Sequence, residues 1–178
     1  MNDVMIDIET MGTGHKAVIT SIGAAYFDRT TSDIGEKYYA IVDWEQPQEG
    51  RILDPSTVKW WLKQSDDARA EMVKDDGVEL MHALDGLRSF IDPCACVWGN
   101  GANFDIGILT DAYERNGFCK KTPWKFRNIR DVRTVVDLAS DVMRRPKMPE
   151  GDAHNALNDA IHQAQYVSNM IQRMRCGF

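Results

Sequence analysis

Met5-Ile6-Asp7-Ile8-Glu9-Thr10-Met11-Gly12 is an apolar stretch interrupted by two acids, and its alternation decides how the chain is organised. In a strand, successive side chains leave opposite faces, so Asp7 and Glu9 share one face while Ile6 and Ile8 take the other. Charged carboxylates in a segment otherwise fit for burial are costly unless something cationic meets them. A divalent ion satisfies several at once. Two acids aimed at one point therefore predict a cation site on one face of a sheet.

Working outward, residues 4–9, 18–28 and 38–42 read as three strands joined by short polar connections, which predicts an antiparallel meander. Asp54-Pro55-Ser56 opens a helix through Trp60, Trp61 and Leu62, with a cap followed by proline in the first turn. A second helix is expected from Asp66. Residues 78–91 carry Leu80, Leu84, Leu87 and Ile91 at spacings of three and four, the mark of one buried helical face, and Pro93 ends it. Residues 95–98 form a short apolar run ending in Gly99-Asn100-Gly101. Phe104, Ile108, Leu109 and Tyr113 then repeat at helical spacing up to Asn116-Gly117. A strand is expected over 126–129, a helix over 131–143, a loop over 144–151 and a last helix from about 155 to 174.

This layout puts Asp105 at a helix start beyond the carboxyl end of a strand, where open α/β sheets place ligands. His154 and Asp159 are five residues apart, about 500° around a continuous helix, and would not share a face. With His154 in the loop before the helix and Asn155 as N-cap, the histidine can lean over Asp159. The helix N-terminus favours the ionised aspartate.

The 178 residues fit one domain, 1–178, able to bury a core without disulfides. With 43% hydrophobic and 27% charged residues the composition is globular, and no apolar run approaches the roughly 20 residues of a membrane span. Met1-Asn2-Asp3-Val4 offers no basic n-region, so no signal peptide is visible and a cytoplasmic location is expected. Cys94, Cys96, Cys119 and Cys176 make neither a CxxC pair nor a zinc spacing. The net charge of −6 is uneven. Residues 115–147 hold ten basic side chains against three acids, a local +7 that leaves −13 elsewhere. A basic flank beside a cation-filled acidic cluster suits a phosphate-bearing polymer; a solvated surface is the plain alternative.

Asp-x-Glu-Thr on the first strand, Asn103-Phe104-Asp105 after a middle strand and His154-x4-Asp159 opening the last helix resemble the DEDDh group of 3′–5′ exonucleases. The match runs from residue 5 to residue 159. It implies an α/β fold of the ribonuclease-H-like kind: a mixed sheet with an antiparallel meander at the N-terminus and flanking helices. Met5–Gly12 and Ser56-Thr57-Val58-Lys59-Trp60-Trp61 look like the subgroup of the phage DexA exonuclease and the mycobacterial RNase AS type. The long 43–51 loop and the Trp60-Trp61 pair depart from a typical oligoribonuclease.

The resemblance further implies a metal-dependent enzyme acting on single-stranded RNA or DNA 3′ ends, RNA favoured, releasing 5′-mononucleotides, often as a homodimer. Two Mg²⁺ or Mn²⁺ ions would be held by Asp7, Glu9, Asp105 and Asp159, with Asp7 between them. His154 would take the proton from the attacking water, the general-base role that imidazoles often fill. Thr10, Met11 and Asn103 would contact substrate. One of Trp60 and Trp61 is expected to pack inward, leaving the other for stacking or an interface. Two other readings of the same residues are an inactive nucleic-acid-binding domain of this fold and a phosphodiesterase for short nucleotides.

Overall fold

The computed structural model describes residues 1–74, 76–115, 121–149 and 154–176. Three strands, β1 (Asp3–Thr10), β2 (Ile19–Phe27) and β3 (Ile34–Ile41), form the expected meander. β4 (Cys96–Gly99) and β5 (Ile129–Asp131) run parallel to β1 and complete a five-stranded mixed sheet in the order β3-β2-β1-β4-β5. The third strand starts earlier than its sequence suggests. A turn over 28–33, in which Asp28 accepts from the Thr30 nitrogen at 2.7 Å, returns the chain at once and pairs Ile34 with Phe27.

The helices are α1 (Pro55–Trp61), α2 (Asp66–Met72), α3 (Leu80–Phe90), α4 (Ala102–Arg115), α5 (Val132–Leu138) and α6 (Ala156–Cys176). Two expectations need correction. Residues 126–128 are a turn of 3₁₀ helix, not a strand, because Asn128 donates to the carbonyls of Cys94 (3.2 Å) and Ala95 (3.1 Å) and pins the chain before pairing begins. The helix expected to reach Met143 stops at Leu138, where the Val142 and Met143 nitrogens both turn back to the Ala139 carbonyl. The stop expected at Asn116-Gly117, with Cys119, Lys120 and the end of the 144–151 loop, lies outside the described residues. No helix among the described residues is long and apolar enough to cross a membrane.

The sheet has two unlike faces, as β1 requires. Val4, Ile6 and Ile8 pack with Leu84 and Leu87 of α3 and Ile108 and Leu109 of α4 in a continuous apolar core. Met5 points the other way and joins Phe27, Trp98 and the α6 residues Ala160, Ala164 and Val167. Asp7 and Glu9 continue that second face toward the N-terminus of α6. A smaller cluster of Met11, Trp61 and Ala68 seats α1 and α2 beside the end of β1.

Candidate active site

Close approach of α6 to the sheet assembles the site. Gly23 pairs with Asp7 on one side and Tyr39 on the other, so Asp7, Gly23 and Tyr39 form a row across three strands. The start of α6 lies directly on the middle of that row. A Cβ on Gly23 would overlap the Ala156 carbonyl and the Leu157 nitrogen. Only a glycine lets the helix backbone settle there. That contact carries His154 and Asp159 over Asp7 and Glu9, and one ligand atom each from Glu9, His154 and Asp159 falls within 4.8 Å of the others.

Each acid is held differently. Asp7 accepts from Gln163 Nε2 at 2.7 Å, a residue one helical turn beyond Asp159 on the same side of α6. Asp105, 3% exposed, lies in the first turn of α4, and its Oδ1 accepts from the Ile8 nitrogen at 3.3 Å. The α4 start is fixed from β5: Asp131 Oδ2 accepts from the Ala102 nitrogen at 2.6 Å, while its Oδ1 caps α5 through the Arg133 nitrogen at 2.7 Å. Asp159 accepts from the backbone nitrogen of His154 at 2.9 Å. His154 has a left-handed backbone, φ 66°, in the turn before α6, as its spacing from Asp159 predicts. Its ring meets Trp60 and Trp61 edge-on at 5.0 and 5.6 Å between centroids.

The electrostatics of this cluster are those of a cation site. Burial pushes the Asp7 carboxyl well up, and Asp105, Glu9 and Asp159 push it further. Glu9 is raised by burial and then by Asp159 and Asp105. Burial lifts Asp105 to about 7 against the opposing pull of backbone donors. Asp159 is raised by burial as well. Among the described residues, no lysine or arginine forms an ion pair with any of the four. Four buried hard oxygen donors, two of them raised further by the other acids and none in an ion pair with a lysine or arginine among the described residues, are a donor set that suits a divalent metal.

Beside them opens a cavity of about 420 Å³, floored by Glu9 and Thr10 and walled by Ser56, Thr57, Trp60, Trp61 and Phe104. It falls in the size range of small-ligand sites. Trp61 is 2% exposed and donates its Nε1 to the Thr10 carbonyl at 3.0 Å, whereas Trp60 is 45% exposed. The inward and outward tryptophans are thus resolved. Two expected substrate contacts are not at this cavity. Met11 is 1% exposed and packs on Trp61 and Ala68, so its side chain supports the turn and does not line the cavity. Asn103 is exposed on α4 beside a separate groove shared with His15 and Glu114. Thr10 does line the cavity, with its hydroxyl donating to the Gly12 carbonyl at 2.7 Å.

The basic flank is not one surface. Arg133 lies against Gly101, whose φ of 96° suits glycine, and acts on Asp105, while Arg145 acts on Asp159 and stacks over the Tyr166 ring at 5.5 Å. Lys125 and Arg127 lie with the 3₁₀ turn at the opposite end of β5, near Cys94. Sequence reasoning missed Gln163, Gly23 and the division of the flank. Gln163 alone had a visible signal, its spacing of four from Asp159.

The chain matches, over residues 2–171, the family described as a 3′-5′ exoribonuclease Rv2179c-like domain. It is 30% identical, over 195 aligned positions covering 89% of this chain and 84% of the relative, to an exodeoxyribonuclease of Enterobacteria phage T4. Two solved structures of E. coli exonuclease I share the fold. The complex with a dA16 oligonucleotide superposes with a TM-score of 0.68 and 17% identity over 98% of this chain and 41% of that one. The complex with a dT13 oligonucleotide gives 0.67 and 16% over 98% and 42%. The chain thus spans less than half the length of those exonuclease I chains.

Proposed function

Because this chain belongs to the 3′-5′ exoribonuclease Rv2179c-like family, a branch of the DEDDh exonucleases, we propose that it removes 5′-mononucleotides from the 3′ end of single-stranded nucleic acid. We further propose two Mg²⁺ or Mn²⁺ ions, a cytoplasmic setting and RNA as the favoured strand. The observation that carries the reading is the convergence of Asp7, Glu9, Asp105 and Asp159 beneath His154, with no ion pair to a lysine or arginine among the described residues. The family description supports RNA, and the T4 relative is named for DNA.

Asp7, Glu9, Asp105 and Asp159 would hold the ions, which would neutralise the phosphodiester and make water a stronger nucleophile near neutral pH. The chain's own residues do the rest. Gln163 fixes one Asp7 oxygen and leaves the other free for a ligand. Trp60 offers a ring face at the cavity wall for the terminal base, and Thr10 closes its floor. His154, above Glu9 and Asp159, accepts the proton released by the attacking water. Arg133 and Arg145 bring positive charge to the rim.

Digestion of matched 5′-labelled RNA and DNA oligomers with Mg²⁺ and with Mn²⁺ tests the assignment. The expected result is a ladder shortening from the 3′ end, faster on RNA and abolished by EDTA. An Asp7→Ala protein that still shortens the label, or a wild-type protein inert on both strands with either metal, would overturn it.

A further inference from the structure

The residue after His154 is tied to a network that the chemistry above does not use. Asn155 accepts from the Leu157 and Asn158 nitrogens at 3.1 Å each, so its oxygen caps α6. Its amide nitrogen donates to Glu71 Oε1 at 3.0 Å and to the Tyr39 hydroxyl at 3.3 Å. The Tyr39 hydroxyl in turn donates to Glu71, and Lys74 pairs with the other Glu71 oxygen at 2.6 Å. Both ends of the Asn155 amide are therefore engaged, one with the helix it starts and one with α2 and β3.

Two further facts give this clasp a purpose. His154 holds φ 66°, a conformation that non-glycine side chains keep only where the surroundings impose it. Its own backbone is fixed on one side by the Asp159 carboxylate, and Asn155 is the next residue on the other. Helix α2 itself buries only Ala68, so its contribution to the core is small. Glu71 sits on that helix with its side chain largely enclosed. Burial raises its carboxyl, but hydrogen bonds from Lys74, Tyr39 and Asn155 outweigh this and hold it below the usual range, keeping it an acceptor.

We infer that Glu71, with Tyr39, is a positioning residue that clamps Asn155 and so holds the left-handed turn which aims His154 at the reacting water. The inference rests on the role proposed for His154. Glu71 touches neither the substrate cavity nor the four acids, so its loss should change rate and not binding.

Kinetics on a 5′-labelled single-stranded oligomer, paired with backbone amide exchange of residues 154 and 155, tests it. Glu71→Ala is expected to lower kcat roughly tenfold, the loss of about one charged hydrogen bond, with KM and Mn²⁺ affinity within about twofold. Glu71→Gln keeps an acceptor oxygen and should restore most of the rate. Asn155→Ser keeps a cap oxygen but is too short to reach Glu71; it should match Glu71→Ala, and the double variant should fall no further. Amide exchange at 154 and 155 should quicken in Glu71→Ala and not in Glu71→Gln. Unchanged kcat and exchange in Glu71→Ala would overturn the clamp, as would an equal defect in Glu71→Gln or a defect confined to KM. The exchange measurement keeps the clamp testable if the wild-type chain hydrolyses nothing, a result that sinks the nuclease reading alone.

Discussion

The two faces of β1 do opposite jobs with adjacent residues. Val4, Ile6 and Ile8 are each no more than 3% exposed and are met by leucines and isoleucines from α3 and α4. Asp7 and Glu9, one position away in each case, face α6, where the packing yields to carboxylates and an imidazole. The apolar face supplies the stability that lets the polar face hold like charges together. It also fixes the acids on a strand that cannot shift without moving the core, while His154 stands on a held turn. Asp7 and Glu9 lie on the sheet, Asp105 and Asp159 lie in the first turns of α4 and α6, and His154 lies on the turn before α6, tied to Asp159.

The largest effect that would break this division comes from the polar face. Asp7→Asn should cut metal-stimulated hydrolysis by about 10³-fold or more, since a metal contributes several kcal/mol. The same variant should melt higher than wild type without metal, because a buried like charge has gone. Loss of both activity and metal-free stability would show that the faces are not separable. On the apolar face, Ile6→Ala should cost about 2–5 kcal/mol in denaturant unfolding, with the folded fraction turning over within about twofold of wild type.

The pH response sharpens the contrast. Asp105 has an ordinary value of 3.8 and a folded value of about 7, so between these the folded chain binds more protons than the unfolded one. Its contribution is present at low pH and lost as pH rises through 7, and the raised Asp7 and Glu9 carboxyls act in the same sense. Without metal the protein should melt roughly 5–10 °C lower at pH 8 than at pH 5. Mg²⁺ should narrow the gap, and Asp105→Asn should flatten the slope in scanning calorimetry. The smallest effect is expected far from either face. Phe126, 86% exposed on the 3₁₀ turn, should tolerate Phe126→Ala within about 0.5 kcal/mol of stability and with unchanged KM on a short oligomer.

The sequence made the backbone of the site legible because each part had a local signature. Alternation gave the shared face of Asp7 and Glu9, a glycine-bounded strand and helix gave Asp105, and a five-residue spacing lifted His154 off its helix. The features that stayed hidden are those made by distant segments meeting. Nothing near Gly23 announces that Ala156 will rest on it. Nothing near Glu71 points to Asn155, 84 positions away. The basic run looked continuous because charge was counted along the chain, while the fold sends Arg133 and Lys125 to opposite ends of one three-residue strand. Met11 looked available because it follows the acids, yet an outer pair of helices covers it.

The seat of α6 on Gly23 also bears on when the site comes into being. Asp7 and Gln163 are bonded across 156 positions, and Asp159 arrives on the same helix with His154 on the turn before it. A chain that has folded only its meander holds two acids with nothing opposite them. The candidate metal-binding set is therefore completed only when α6 docks on the meander, so metal affinity should appear together with that docking and not before. A bound metal would then act as a latch on that docking, favouring the arrangement in which β1 and α6 meet.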